Sequence, residues 1–144
     1  GAKLFSIIKD EQEFYFINTH MQSDYETDYS DIRISQYAEI NNNLILPIDK
    51  SNIPLILCGD LNISQHSKLQ QMLQKLKLIN GPLMGTLQHS VVGKNKAILD
   101  YILVSDDHSK FKSIRRRIIN FSNNLKAKEY NLSDHYPIEA IFSW

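Results

Sequence analysis

The chain lacks most of the features that would mark it as a specialised scaffold. It has a single cysteine, Cys58, so no internal disulfide can staple it. Its 16 basic and 16 acidic residues cancel, so no global field draws it to a polyanion. Any contact with nucleic acid has to come from a local patch. No apolar run approaches membrane-spanning length, and no signal-peptide pattern opens the sequence. These absences leave the compartment open, secreted or cytoplasmic. There is no internal repeat, low-complexity tract or linker. What remains is 144 residues, 42% hydrophobic and 22% charged, the composition of one folded domain around one core.

Residues 53–64 (IPLILCGDLNIS) organise the rest. An apolar run over 53–58 stops at Gly59-Asp60-Leu61-Asn62, the pattern of a strand buried on both faces and closed by a turn. Asp60 and Asn62 then fall just past its C-terminal end, where α/β sheets usually place their chemistry. A carboxylate and an amide so spaced suit a divalent cation, a phosphate or a water to be activated. Inside such a strand Cys58 reads as a packed structural thiol.

Upstream, residues 3–8 and 13–19 flank a polar turn and predict a β-hairpin. After an acidic loop over 23–30, Ile32, Gln36, Tyr37, Ile40 and Leu44 recur at helical spacing. Asp28 or Ser30 is placed to cap that helix, and Pro47 to end it. A second helix is expected over 67–77, with Leu69, Met72, Leu73 and Leu76 as its buried stripe. Asn80-Gly81-Pro82 is a stop signal, and residues 83–96 read as a loop. Strands are expected at 97–104 (AILDYILV), 114–121 and 137–142, giving an α/β layered architecture.

Four polar clusters lie at strand edges: Asn18-Thr19-His20, Gly59-Asp60-Leu61-Asn62, Leu99-Asp100-Tyr101, and Ser133-Asp134-His135. Each has an ordinary explanation when taken alone. Asp60 and Asn62 read as a turn residue and a helix cap. Lone histidines are more often hydrogen-bonded surface groups than catalysts, and Asp134 serves equally well to cap a turn before Pro137. Asp100 is the least comfortable, because a charge within AILDYILV is costly without a partner. The functional argument rests on the four occurring together and in this order.

In that order, NTHMQS, LCGDLN, LDYILVS and LSDHYPI resemble the successive C-terminal motifs of the endonuclease/exonuclease/phosphatase superfamily, the deoxyribonuclease-I-like phosphodiesterases. The resemblance runs from Phe14 to Ile141. Within the superfamily the chain is most similar to the neutral sphingomyelinase branch, through His20-Met21-Gln22, then Arg33, Gln36 and Glu39-Ile40, and the wording LCGDLNIS. The resemblance implies the C-terminal half of a four-layer α/β/β/α sandwich, so residues 1–144 form a single partial domain. It implies metal-dependent phosphodiester hydrolysis of the sphingomyelinase type, with Mg2+ as cofactor. His135 would be the general base, Asp100 its orienting carboxylate, and Asp60 the group that orients water or protonates the leaving group. His20 would stabilise charge on the phosphoryl oxygens, Asn62 and Asn95 would bind the phosphate, and Asp134 would help hold the magnesium ion.

The superfamily's first half supplies a further Asn and the Glu that is the main magnesium ligand, and no segment here matches either motif. The expected partners follow from this: a phosphodiester substrate, phospholipid favoured over nucleic acid, and either the missing N-terminal half or a second copy covering a bare apolar sheet face. Two alternatives stand beside this reading. One is a nuclease of the same fold, using Arg115 to Arg117 with Lys110 and Lys112 as a basic cluster. The other is a non-catalytic interaction module.

Overall fold

The computed structural model describes residues 1–24, 26–49, 52–94, 96–106, 113–120 and 133–143. Strands β1 (Ala2–Lys9) and β2 (Gln12–His20) form the expected hairpin, with Leu4 opposite Ile17 and Phe5 opposite Phe16. Alternation sends Leu4, Tyr15 and Ile17 towards the helices, and Phe5, Phe14 and Phe16 to the other face.

Helix α1 (Ser30–Ile40) follows, and Asp28 Oδ1 accepts the backbone N–H of Ser30 at 2.9 Å, satisfying one of the donors that the first turn leaves free. The buried stripe is Arg33, Tyr37 and Ile40, while Ile32 is 44% exposed. Periodicity alone had placed Ile32 inside. The frame turns by one residue because Arg33 is neutralised where it is buried: its guanidinium donates to both carboxylate oxygens of Asp24, at 2.7 and 2.9 Å, and to Gln22 O at 2.8 Å. A π-helical turn, Asn41–Ile45, extends α1 towards Pro47.

Strand β3 (Leu55–Asp60) runs parallel to β2, and α1 makes the crossover between them. Leu57 is fully buried against the helices, and Ile56 packs on the opposite face, as a doubly covered strand requires. The strand runs two residues further than expected, so Asp60 is its last residue rather than the first of the turn. Cys58 is only partly buried and lies beside Asn18 at the site end of the sheet, not fully packed as expected. Helix α2 (His66–Leu76) buries Leu69, Met72, Leu73 and Leu76, and stops at Lys77 in the left-handed conformation (φ 52°), before Gly81 is reached.

Strands β4 (Leu78–Ile79) and β6 (Asp100–Ser105) complete a five-stranded sheet of order β1-β2-β3-β6-β4. Residues 97–99, expected as strand, precede β6, so Asp100 opens the strand instead of interrupting it. Because β6 is antiparallel to β3, its first residue stands opposite the last of β3.

Strands β5 (Leu83–Met84), β7 (Ser113–Ile118) and β8 (Ile138–Ser143) form a second sheet of order β5-β7-β8. Ile114 and Phe142 from this layer pack on Ile56 and Val104. Part of the sheet face expected to be bare is thus covered by the chain itself, because its last strands cross into the facing layer. The hairpin end of that face stays open, with Phe5 40% exposed. Alternation along β7 also divides the arginines. Arg116 is buried and donates to Gly81 O at 2.8 Å, while Arg115 and Arg117 face outwards and Arg117 pairs with Glu139. Lys110 and Lys112 lie outside the described residues.

At Gly59 (φ +142°) a Cβ would fall 1.7 Å from Thr19 O on the neighbouring strand. Only glycine fits there. Gly59→Ala is expected to destabilise the chain by more than about 3 kcal/mol, measured as a lost or strongly lowered denaturation midpoint; an unchanged midpoint would contradict this packing.

Candidate active site

Three strands and one connecting segment bring the site together at one end of the first sheet. β3 and β6 are in register with Asp60 opposite Asp100, and His20 of β2 is in register with Asp60 on the other side. Two carboxylates face each other across adjacent strands, an arrangement that costs energy unless opposite charge is near. His135 supplies it. Its Nδ1 donates to Asp100 Oδ2 at 2.7 Å, and its Nε2 lies 3.9 Å from Asp60 Oδ2. His20 Nε2 lies 3.6 Å from the same oxygen and is far more exposed than its partner.

The turn after β3 is held by its own atoms. Asn62 adopts a left-handed backbone (φ 52°) and its N–H donates to Asp60 Oδ1 at 2.9 Å. The Asn62 side-chain amide donates to Met21 O at 3.0 Å, and Met21 N–H donates to Asp60 O at 2.9 Å. Asn62 is therefore buried and ties the exits of β2 and β3 together. The Tyr101 hydroxyl donates to Ile63 O at 2.6 Å, fixing the same turn from β6, and burial pushes its pKa up to about 12.

His135 reaches the site on the segment leading into β8. Its N–H donates to Ser133 Oγ at 3.1 Å, and it forms an isolated antiparallel bridge with Val91. Burial pulls its pKa down, but the hydrogen bond to Asp100 and the charges of Asp100, Asp60 and Asp134 outweigh this and leave it above the ordinary 6.5. Asp60 is raised above its ordinary 3.8, chiefly by burial and further by Asp100, with the Asn62 N–H and the two histidines opposing. An open cleft of about 480 Å³ lies beside the group, lined by Asn18, His20, Gly59 and Asp60 together with the first residues of the chain.

Asp60, Asp100, His135 and His20 are thus brought together as the sequence implied. Asp60, Asp100 and His135 each offer one ligand atom within 4.8 Å of the others. Asp134 is exposed beside His135 and outside that cluster, with its carbonyl accepting from Val92 N–H at 2.8 Å. Asn95 lies outside the described residues. Tyr101 was read only as a neighbour of Asp100, and its hold on the turn after β3 had no signal; nor had Ser90, within an aperiodic loop, whose Oγ accepts the N–H of Asp100 at 3.2 Å.

The raised pKa gives a test. Since pairing favours the cationic imidazole, its contribution to stability is fully present below the unfolded value near 6.5 and is lost as pH rises through the folded value. Titrated by NMR, His135 should have its midpoint above 6.5, and Asp100→Asn should lower it; an unmoved midpoint would remove Asp100 as its partner.

Comparison with known proteins follows the same lines. The Endonuclease/Exonuclease/phosphatase family profile matches residues 7–135. No curated protein matches the chain. Among solved structures it is similar to beta toxin from Staphylococcus aureus (TM-score 0.76, 25% identity, 98% of this chain and 56% of that one), of which a mutant is described with bound magnesium ions. It is also similar to sphingomyelinase C from Streptomyces griseocarneus (0.74, 19%, 97% and 56%). A third is the mannosyl-6-phosphatase Bt3783 of Bacteroides thetaiotaomicron (0.71, 20%, 94% and 53%). The chain spans little more than half the length of these structures. With the profile covering nearly all of it, and the four strand-end motifs meeting in one cluster, the chain belongs to the endonuclease/exonuclease/phosphatase family.

Proposed function

We propose that the chain is the C-terminal part of a divalent-metal-dependent phosphodiesterase, with a choline phospholipid of the sphingomyelin type as substrate. The observation that carries the reading is the 2.7 Å bond between His135 and Asp100, turned towards Asp60. Donation from Nδ1 fixes the neutral tautomer and leaves the Nε2 lone pair as a proton acceptor. His135 then takes a proton from water as the water oxygen bonds phosphorus and the ester P–O bond breaks. Asp60, raised by burial, orients that water or delivers the proton the leaving oxygen needs. His20, exposed at the cleft, donates to the phosphoryl oxygens.

The donor set fits an oxygen-preferring cation. Asp60 and Asp100 are opposed carboxylates with His135 alongside, and the exposed Asp134 precedes His135 in the chain. A magnesium ion held there would polarise the phosphoryl oxygens. The lipid substrate is favoured by the similarity to sphingomyelinase C and because, among the described residues of the basic cluster, Arg116 is buried and Arg117 is paired with Glu139. The open hairpin face with Phe5 is assigned to the remainder of the family domain, or to a second copy where that is absent.

Magnesium-dependent hydrolysis of sphingomyelin and of DNA, by this polypeptide and by a form extended upstream in its gene, tests the reading. The extended form should cleave sphingomyelin, faster as pH rises through the raised pKa of His135. His135→Ala should cost about 10²–10⁴-fold. Cleavage of DNA alone would move the chain to the nuclease branch, and cleavage of neither would leave an interaction module. The 144-residue chain itself should self-associate or bind a hydrophobe-sensing dye; a clean monomer without dye binding would contradict the open face.

A further inference from the structure

Ser90 is fully buried, although it lies in a loop with no apolar pattern around it. A buried hydroxyl there must be satisfied, and it is satisfied by backbone at the site. Ser90 Oγ accepts the N–H of Leu99 at 3.0 Å and that of Asp100 at 3.2 Å, the point where the chain enters β6. The backbone of Ser90 binds two further segments: its N–H donates to Ala97 O at 2.9 Å, and its carbonyl accepts the N–H of Tyr136 at 2.7 Å. Val91 bridges His135, and Val92 N–H donates to Asp134 O at 2.8 Å.

One residue therefore touches the peptide that carries Asp100 and the strand segment that carries His135. Asp100 belongs to the first sheet, whereas His135 lies on the segment leading into the second. We propose that Ser90 is a positioning residue. Its hydroxyl fixes the backbone at Asp100, its carbonyl fixes the backbone beside His135, and together they set the 2.7 Å separation on which proton abstraction depends. This rests on the reading that Asp100 and His135 form the water-activating pair. It extends that reading to a residue that touches neither substrate nor reacting atoms. Partners of this second kind typically change activity by about 10–100-fold when removed.

The readout is the tautomer of His135, observed by nitrogen-resolved histidine NMR on the 144-residue chain above the pH where the ring is cationic. His135→Ala assigns the signal among the five histidines. In the wild type the Asp100 bond should hold His135 as the Nδ1–H form, and Asp100→Ala should release it towards Nε2–H. Ser90→Ala should shift the population in the same direction, and Ser90→Thr, which keeps the hydroxyl, should shift it less. The double variant Ser90→Ala/Asp100→Ala should match Asp100→Ala alone, because Ser90 acts through that carboxylate. If Ser90→Ala does not fold, Ser90→Cys takes its place, with a weak acceptor of similar shape. A folded Ser90→Ala (or Ser90→Cys) variant with the wild-type tautomer, or a double variant shifted beyond Asp100→Ala, would overturn the proposal. So would a wild type lacking the Nδ1–H form.

In the extended protein, Ser90→Ala should lower kcat by about 10–100-fold with KM little changed. Tautomer coupling without any hydrolysis would sink the phosphodiesterase reading and leave the role of Ser90 standing. Hydrolysis without tautomer coupling would do the reverse.

Discussion

The site depends on how closely two backbones can approach. β2 and β3 run parallel, and at Gly59 the second strand presses against Thr19 so tightly that a methyl group has no room. That contact brings His20 level with Asp60. The antiparallel pairing of β6 on the other side then brings Asp100 level with the same residue. Three candidate side chains from distant parts of the sequence are aligned by strand register alone. Register is a strong constraint, because a slip of one residue would turn each of them to the opposite face.

Such alignment creates an electrostatic problem and resolves it locally. Two carboxylates in register repel, and partial burial sharpens the repulsion. His135 takes one of them as a direct partner and stands near the other, which is why its own affinity for a proton rises despite burial. The elements around the group are tied together by ordinary hydrogen bonds. Asn62 is held by Met21 O, Tyr101 by Ile63 O, and Arg33 anchors the loop after His20 through Gln22 and Asp24.

Much of this was legible in the sequence, and the physical reasons are uneven. The hairpin could be read from two strand-forming runs around a polar turn, β3 from an unbroken apolar run closed by Gly59, and α2 from a helical apolar period. The cluster of Asp60, Asp100, His20 and His135 was legible through motif order, since spacing alone gives each an ordinary explanation. The start of β6 was misplaced because 97–99 are apolar enough to pass for strand, and only pairing with β3 decides where the ladder ends. The frame of α1 was misjudged because periodicity cannot count a buried arginine that a distant aspartate neutralises. Coverage of the sheet face could not be read either, since nothing local says which layer a late strand joins. Ser90 was invisible for the same reason: its role lies in what approaches it.

Most of the site belongs to the first sheet, but His135 arrives on the segment entering the second. The two layers are joined by a small apolar seam in which Ile56 and Val104 meet Ile114 and Phe142. Packing in that seam therefore bears on where the imidazole stands relative to both carboxylates. Residues that never face the cleft thus act as a spacing gauge for the candidate site.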